Sequence, residues 1–539
     1  MIGSPTDTLT RQDELQLQKL LANYKLTPMT LAMKLNPKII PAKHLMYISV
    51  AIANAIAKGN GRIIISLPPR HGKSELVTKN VPIWTLENFG QKNVILCSYG
   101  GDLSTDFGRK VRDLIRDNET LLDIRIREDA SRVNNWLTQY GGAMMSVGLG
   151  GPITGRGADV LIIDDYIKEI KESQSQGHRD YIWDWFTTTA YTRLEPGATC
   201  IIVATRWHHD DLIGRILKNF PGEWTNIVIP AEAEPEGWDA KDPSTHLNRD
   251  FLGRLKGEAL FPERYPISDL TDRKRILGSF FYNALYQQRP ENDAGQLTNK
   301  SWLRYAHLQN IPMETLQRLK YARVWDLAAT EDGGDYAVGT LAGYDPKHDL
   351  MYYFDVRRIQ KGPLGVEIEV KRTAEMDGKQ IPIYIEQEPG SSGKLLVATY
   401  AANLLKGFKV HAHPANDGKI IRAQPFLAGV EAGKVVLVYA DWNKAFVDEY
   451  DEFPGGDHDD QIDTASAAYT ILTGRKLLKA SWGREDVSNE SKPEQQLVNG
   501  VSQPRNIILP NGQSYVIGDM STLPAISGQF NTRSVSWGR

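Results

Sequence analysis

The sequence predicts an α/β chain of two successive domains, each a β-sheet covered by helices. Three observations carry this. Between residues 61 and 230 the short apolar runs RIIIS, NVILCS, DVLIID and TCIIVAT alternate with the helix-like stretches LSTDFGRKVRDLIRD and RDYIWDWFTTTAYTRL. Strands apolar on both faces and separated by helices are what a parallel sheet buried on both sides requires. A second alternation begins at YARVWDLA and lasts to about residue 475. Between the two lies a stretch rich in Pro and charge, AEAEPEGWDAKDPSTHLNRD, of the kind that connects domains.

Taken in order, residues 1–60 read as a helical lead-in, ending in an apolar-periodic helix within PAKHLMYISVAIANAIAKGNG that glycines stop. Residues 61–230 form the first α/β core and 231–316 a connecting subdomain. Residues 317–475 start with three strands of antiparallel appearance (YARVWDLA, DYAVGTLAGYD, DLMYYFDVRRI), followed by a helix, the strand IPIYIE, a further helix from Gly393, GKVVLV and a last helix. That order is the one expected of an RNase H-like nuclease core. The 476–539 tail is polar and rich in Ser, Gly, Asn and Gln, as in a segment that stays disordered or is tied down by a partner.

The bulk properties bound the function. A chain of 539 residues, 41% hydrophobic, is long enough for two to four cores, and no apolar stretch is long enough to span a bilayer, so the expected location is cytoplasmic. The only cysteines, Cys97 and Cys200, lie in apolar strand-like runs and read as buried strand residues, with no disulfide or zinc. A formal net charge of -3 neither announces nor excludes nucleic acid, because an acidic metal site offsets a basic groove.

The stretch LPPRHGKSE, Leu67 to Glu75, follows the strand RIIIS and precedes a helix start, the setting of a phosphate-binding loop. Gly72, Lys73 and Ser74 fit the end of that pattern, while Leu67 stands where its first glycine belongs and reads as the last residue of the strand, with Pro68-Pro69 making the turn. Backbone N–H groups from Arg70 to Ser74, His71 included, and the helix N-terminus would then face ATP phosphates. Lys73 would neutralise β/γ-phosphate charge and Ser74 would hold Mg²⁺. Downstream, DVLIIDD supplies Asp164 as a magnesium aspartate and Asp165 as the acid that orients or deprotonates water. The strand TCIIVAT ends at Thr205, placed to sense the γ-phosphate. Arg156, on the glycine-rich turn TGRGAD, is a candidate arginine finger acting on a neighbouring subunit, and Arg70 competes with it in cis.

A second constellation lies near the far end. In GGDHDDQIDTA, Asp457, His458, Asp459, Asp460 and Asp463 crowd the start of a helix, more acid than capping needs. Asp326 in RVWDLA and Glu386 in IPIYIEQEPG stand where strands end, with Glu388 as the alternative to Glu386. Asp326 and Glu386, together with the acids of this cluster, suit two Mg²⁺ or Mn²⁺ ions, about 3.5–4 Å apart, serving phosphodiester hydrolysis.

With these motifs in order, and with LCSYGGDLSTDFGRKVR, GPITGRGADVLIIDD, IIVATRWH and FYNALYQQRP besides, the chain resembles the large terminase subunit of tailed double-stranded DNA bacteriophages or prophages over about residues 40–475. It departs from that family at Leu67 and at Asp165, where many members carry Glu. The resemblance implies an N-terminal P-loop ATPase of the additional-strand class, with a parallel-rich sheet, followed by an RNase H-like nuclease. It implies a ring, usually of five subunits, that works on the portal protein of a procapsid with a small terminase subunit. Such a ring pumps double-stranded DNA and cuts concatemers in the cytoplasm of the infected host, outside the mature virion. It also makes Asp326, Glu386 and Asp460, with Asp459 close by, the nuclease metal ligands, and it places His44 where relatives read adenine. Two rival readings share parts of this sequence: a cellular helicase-like translocase-nuclease of repair or defence, and a DNA-binding scaffold that no longer hydrolyses ATP.

Overall fold

The computed structural model describes residues 23–475, apart from residues 154, 240, 292–296, 328–334, 388, 389 and 416, together with the short strands at 507–508 and 514–515. Glu388, the start of the lead-in and nearly all of the tail therefore lie outside the described residues. The described chain forms two units: residues up to 270 with 284–290, and residues 271–283 with those from 291 to 475. The stretch 231–316 is divided between them.

In the first unit, eight strands form one sheet: β1 (Arg62–Ser66), β2 (Asn93–Ser98), β3 (Ile126–Arg132), β4 (Asn135–Thr138), β5 (Ala143–Gly148), β6 (Ala158–Asp164), β7 (Leu194–Ala204) and β8 (Thr225–Val228). Their order is β3-β4-β5-β2-β6-β7-β1-β8. The six from β5 to β8 are parallel, and β3 and β4 add an antiparallel edge. Alternate residues feed two cores, as a strand's period of two demands. Ile63, Ile65, Ile162 and Val203 face one, and Ile64, Ile163, Cys200 and Ile202 the other. Both cysteines are buried and unpaired by disulfide. The lead-in joins the first core through Met29, Leu31, Ile48 and Ile52 and so is part of this unit.

The order separates β1, which carries the phosphate-loop sequence, from β6, which carries the paired aspartates, by one strand, β7. This inserted strand brings a third tip between the other two.

The second unit holds a seven-stranded sheet of β9 (Arg304–Ala306), β10 (Lys320–Asp326), β11 (Ala337–Asp345), β12 (Leu350–Ile359), β13 (Ile383–Gln387), β14 (Val410–Pro414) and β15 (Val435–Val438), in the order β14-β13-β10-β11-β12-β15-β9. β10, β11 and β12 are antiparallel neighbours, and β13 then runs parallel to β10. The helix Asp460–Thr473 is fixed to the sheet by a Thr340–Thr464 hydroxyl bond of 2.8 Å and by Tyr353 Oη donating to the Ala465 carbonyl at 2.8 Å. Its first turn thereby lies beside the end of β10.

Candidate nucleotide and metal sites

The loop after β1 is shaped by local backbone. Leu67 N–H still donates to the Ala204 carbonyl at 3.2 Å, so Leu67 extends the ladder and Pro68 and Pro69 make the turn. Arg70 and Gly72 then take positive φ of 62° and 88°, and Arg70 is exposed. His71 is buried, with Nδ1 2.8 Å from the Pro69 carbonyl. His44 Nε2 lies 2.9 Å from the His71 carbonyl, a contact only a protonated nitrogen makes, so His44 donates there. Burial lowers the His44 pKa to about 3 and keeps the ring neutral. With 0% exposure, the ring supports the loop from beneath.

The helix behind the loop opens as a widened π-helical segment, Glu75–Asn80, before the α-helix Val81–Asn88. Val81 N–H reaches back to the Leu76 carbonyl, and Pro82, which has no N–H to offer Thr78, sits where the widening ends. Thr78 Oγ1 donates to Asp164 Oδ2 at 2.6 Å. The other oxygen, Asp164 Oδ1, is buried and has no hydrogen-bond partner. Burial first, and the neighbouring Asp165 charge second, raise the Asp164 pKa, while Lys73 opposes them. A buried carboxylate oxygen without a donor, beside the Ser74 hydroxyl, fits a magnesium ion and its water.

Lys73 Nζ donates to Asp165 Oδ1 at 2.5 Å and to Thr205 Oγ1 at 2.6 Å. Thr205 in turn donates its backbone N–H to Asp165 Oδ1 at 3.3 Å and its hydroxyl to the Leu67 carbonyl at 3.2 Å. The loop, the acid after β6 and the tip of β7 are thus one hydrogen-bonded group. Asp165 holds a φ of 42°, rare outside glycine and kept here by its ladder bonds to the Val203 carbonyl and the Tyr99 N–H. One residue beyond Thr205, Arg206 N–H donates to Gln288 Oε1 at 3.1 Å, and its guanidinium pairs with Asp211 at 2.7 Å. Arg156 is exposed, beyond the left-handed Gly155, and neither it nor Arg70 has a hydrogen-bond or ion-pair partner among the described residues.

In the second unit, β10 and β13 are adjacent and in parallel register, Trp325 opposite Ile385, so Asp326 and Glu386 stand side by side one residue further on. Asp460 and Asp463 reach the same place from the first turn of their helix. Burial first, then the charges of Glu386, Asp463 and Asp460, raise the Asp326 pKa to about 7. Burial also raises Asp463 to about 7, against the opposing charge of Arg422. Burial lifts Asp460 as well, although it accepts from Tyr336 N–H at 3.3 Å. Asp459 pairs with Lys419 at 2.6 Å. Asp335, His458 and Asp460 offer ligand atoms within 4.8 Å of one another. Asp463 Oδ1 is buried without a hydrogen-bond partner, so the donor set fits hard divalent cations.

Sequence reasoning missed Thr78, Gln288, Asp335 and Arg422. The QQRP motif was visible, but the bond from Gln288 to the strand-tip segment is a tertiary contact that no spacing announces. Asp335 opens the strand-like run DYAVGTLAGYD, and Arg422 lies in a stretch to which the sequence reading assigns no site.

The fold is that of the P-loop ATPase class with an additional strand, joined to an RNase H-like domain. Residues 64–282 match the family described as terminase large subunit, T4likevirus-type, N-terminal, and residues 323–471 match the terminase RNaseH-like domain. The chain belongs to the terminase large-subunit family. The terminase large subunit of Enterobacteria phage T3 is 22% identical over 255 residues, 45% of this chain and 43% of that protein, so the match spans less than half of that relative's length. The large terminase of a thermophilic bacteriophage, solved in complex with ADP, is similar over 80% of this chain and 99% of its own, with 12% identity and a TM-score of 0.42. The large terminase nuclease domain of bacteriophage SPP1, solved with bound Mn, is similar over 32% of this chain and 98% of its own, with 14% identity and a TM-score of 0.25.

Proposed function

We propose that this chain is the motor and the nuclease of viral DNA packaging. It hydrolyses ATP to move double-stranded DNA through the portal protein into a procapsid, and it cuts concatemeric DNA at a divalent-metal centre. The observation that carries this reading is the Lys73–Asp165–Thr205 group, built across three strand tips in a chain whose other unit gathers Asp326, Glu386, Asp460 and Asp463.

In the first site, Lys73 turns from Asp165 to the β/γ-phosphates, Ser74 and Asp164 hold Mg²⁺, and the freed Asp165 orients the attacking water. Thr205 loses its lysine in the same event and passes this to the segment that Gln288 holds. Arg156 completes the charge around the phosphate from a neighbouring subunit, with Arg70 as the cis candidate. In the second site Asp326, Glu386 and Asp460, with Asp459 close by, hold two Mg²⁺ or Mn²⁺ ions. Such ions activate water and stabilise the leaving oxygen of the cleaved phosphodiester. The protein's own share is to hold those carboxylates on a rigid sheet and helix. The working form is a ring of about five subunits, joined by a small terminase subunit, in the cytoplasm of the infected cell. Among the described residues no helix is long and apolar enough to cross a membrane.

The test is a packaging assay with procapsids, linear DNA and ATP. DNA should become protected from added nuclease with the wild-type chain and stay exposed with Lys73→Ala. A chain that hydrolyses ATP and cuts DNA yet never fills a procapsid would favour the repair-type translocase. A chain with no ATP turnover in assemblies would favour the scaffold.

A further inference from the structure

The carboxylate cluster of the second unit already contains a cation of its own. Arg422, in the first turn of the helix Lys419–Glu431, donates Nη1 to Glu386 Oε1 at 2.8 Å and Nη2 to Asp463 Oδ2 at 2.8 Å. It forks between a strand and a helix that come together only in the folded chain. Each carboxylate commits one oxygen to the guanidinium. The remaining arrangement is half satisfied: Asp463 Oδ1 and Arg422 Nε are both buried and without a hydrogen-bond partner. A purely structural buried network is normally satisfied throughout, because an orphaned buried polar atom loses its hydration without a partner to replace it.

The helix beneath Arg422 is held in place. Gln424 Nε2 donates to the carbonyls of Ile276 at 2.9 Å and Leu277 at 2.6 Å, and Glu431 accepts from Ser279 N–H at 2.8 Å. Release of the guanidinium from the cluster would therefore take a side-chain rotation, with no retreat of the helix. Its side chain keeps 20% exposure, which gives it a way out to solvent.

We propose that Arg422 is a built-in competitor for divalent metal: it neutralises Glu386 and Asp463 while the centre is short of metal, and must release them before the full metal complement binds. Arg422 is thus a positioning residue that sets the metal affinity of the centre. The inference rests on the reading of this cluster as the nuclease site. It gives the enzyme a resting form whose buried acids are compensated without metal.

Manganese titration calorimetry on the full chain tests it, with wild type, Arg422→Gln, Arg422→Lys and Asp326→Asn. Removing a cation in direct contact with two ligands should tighten Mn²⁺ binding by about tenfold or more in Arg422→Gln, by the same charge logic that shifts neighbouring pKa values by roughly 1–3 units. Arg422→Lys, which keeps the charge without the two-pronged reach, should fall between that variant and wild type. Thermal melting gives a second reading: Arg422→Gln should melt below wild type in chelator and gain more from Mn²⁺ than wild type does. Equal or weaker Mn²⁺ affinity in both Arg422 variants overturns the proposal. Wild type and Asp326→Asn binding Mn²⁺ alike would instead overturn the nuclease-centre reading on which it stands.

Discussion

Lys73 bridges Asp165 and Thr205 at 2.5 and 2.6 Å, so the lysine of the phosphate loop is held by two groups that it must leave when phosphate arrives. The pairing predicts separable defects. Lys73→Ala should weaken ATP binding and abolish turnover. Asp165→Asn should keep nucleotide affinity while lowering kcat by about 10²–10⁴, the usual worth of a positioned general base. Fluorescent-nucleotide binding beside steady-state phosphate release separates the two. Asp165→Asn turning over at the wild-type rate would move the base elsewhere.

Gly72 has a φ of 88°, and a Cβ built there would lie 2.9 Å from Leu45 Cδ1. Leu45 yields at its flexible end, so the backbone supplies most of the cost of a side chain. Gly72→Ala should destabilise the chain by about 1–3 kcal/mol and weaken ATP binding, because the loop must twist its neighbouring N–H groups out of line. Calorimetric melting and nucleotide titration on the same variant check both. An unchanged nucleotide affinity would mean that the loop tolerates a different backbone.

Much of this was legible in the chain. The strand runs, the loop, DVLIIDD and the strand-tip acids all follow from local periodicity and from the habit of α/β folds of placing function at strand ends. Leu67 was readable as strand, with the two prolines making the turn. What was not legible depends on which segments meet. His44 sits on an apolar helix, and only the fold shows that it lies under the loop carbonyl. β14, with the polar sequence VHAHP, is a half-exposed edge strand and lacks the apolar signature of a buried one. Arg422 is one of two cations on its helix, with Lys419, and its fork into the cluster is set by tertiary packing.

Asp326 and Asp463, both raised to about 7, give the second unit a pH signature. Their ordinary values lie near 3.9, so the metal-free fold favours their protonated forms. That contribution to stability is complete below about pH 4 and is lost as pH rises through about 7. Metal needs the ionised forms, so Mn²⁺ binding should release protons and strengthen over the same interval. Melting temperatures without metal should therefore fall between about pH 4 and 7 while the gain on adding Mn²⁺ grows, and in Asp326→Asn both trends should shrink. A gain from Mn²⁺ that is flat with pH would show that ions bind away from these carboxylates.

The same metal logic separates the two activities. Asp326→Ala and Asp460→Ala should abolish Mn²⁺-dependent plasmid cleavage and leave ATP hydrolysis at its wild-type rate, since neither residue touches the Lys73 group. Plasmid nicking on gels, run beside phosphate release, is the measurement. Cleavage persisting in both variants would remove these acids from the nuclease centre.

Arg156 and Arg70 differ in a way that an assembly experiment resolves. Both are exposed and lack partners among the described residues, but Arg70 lies inside the loop, at a φ of 62°, while Arg156 lies on a separate turn before β6. A group that acts within its own subunit matters at any concentration, whereas a finger from a neighbour matters only where subunits meet. Arg156→Ala should therefore leave the basal rate of dilute protein intact and lose most of the stimulation on assembly, where such fingers contribute about 10³–10⁵. Lys73→Ala subunits, which bring an intact Arg156 but cannot use it, should restore activity when mixed with Arg156→Ala subunits. Arg70→Ala subunits mixed in the same way should not be rescued, because the loop that needs the side chain carries it. Rescue of Arg70→Ala, with none for Arg156→Ala, would reverse the two assignments.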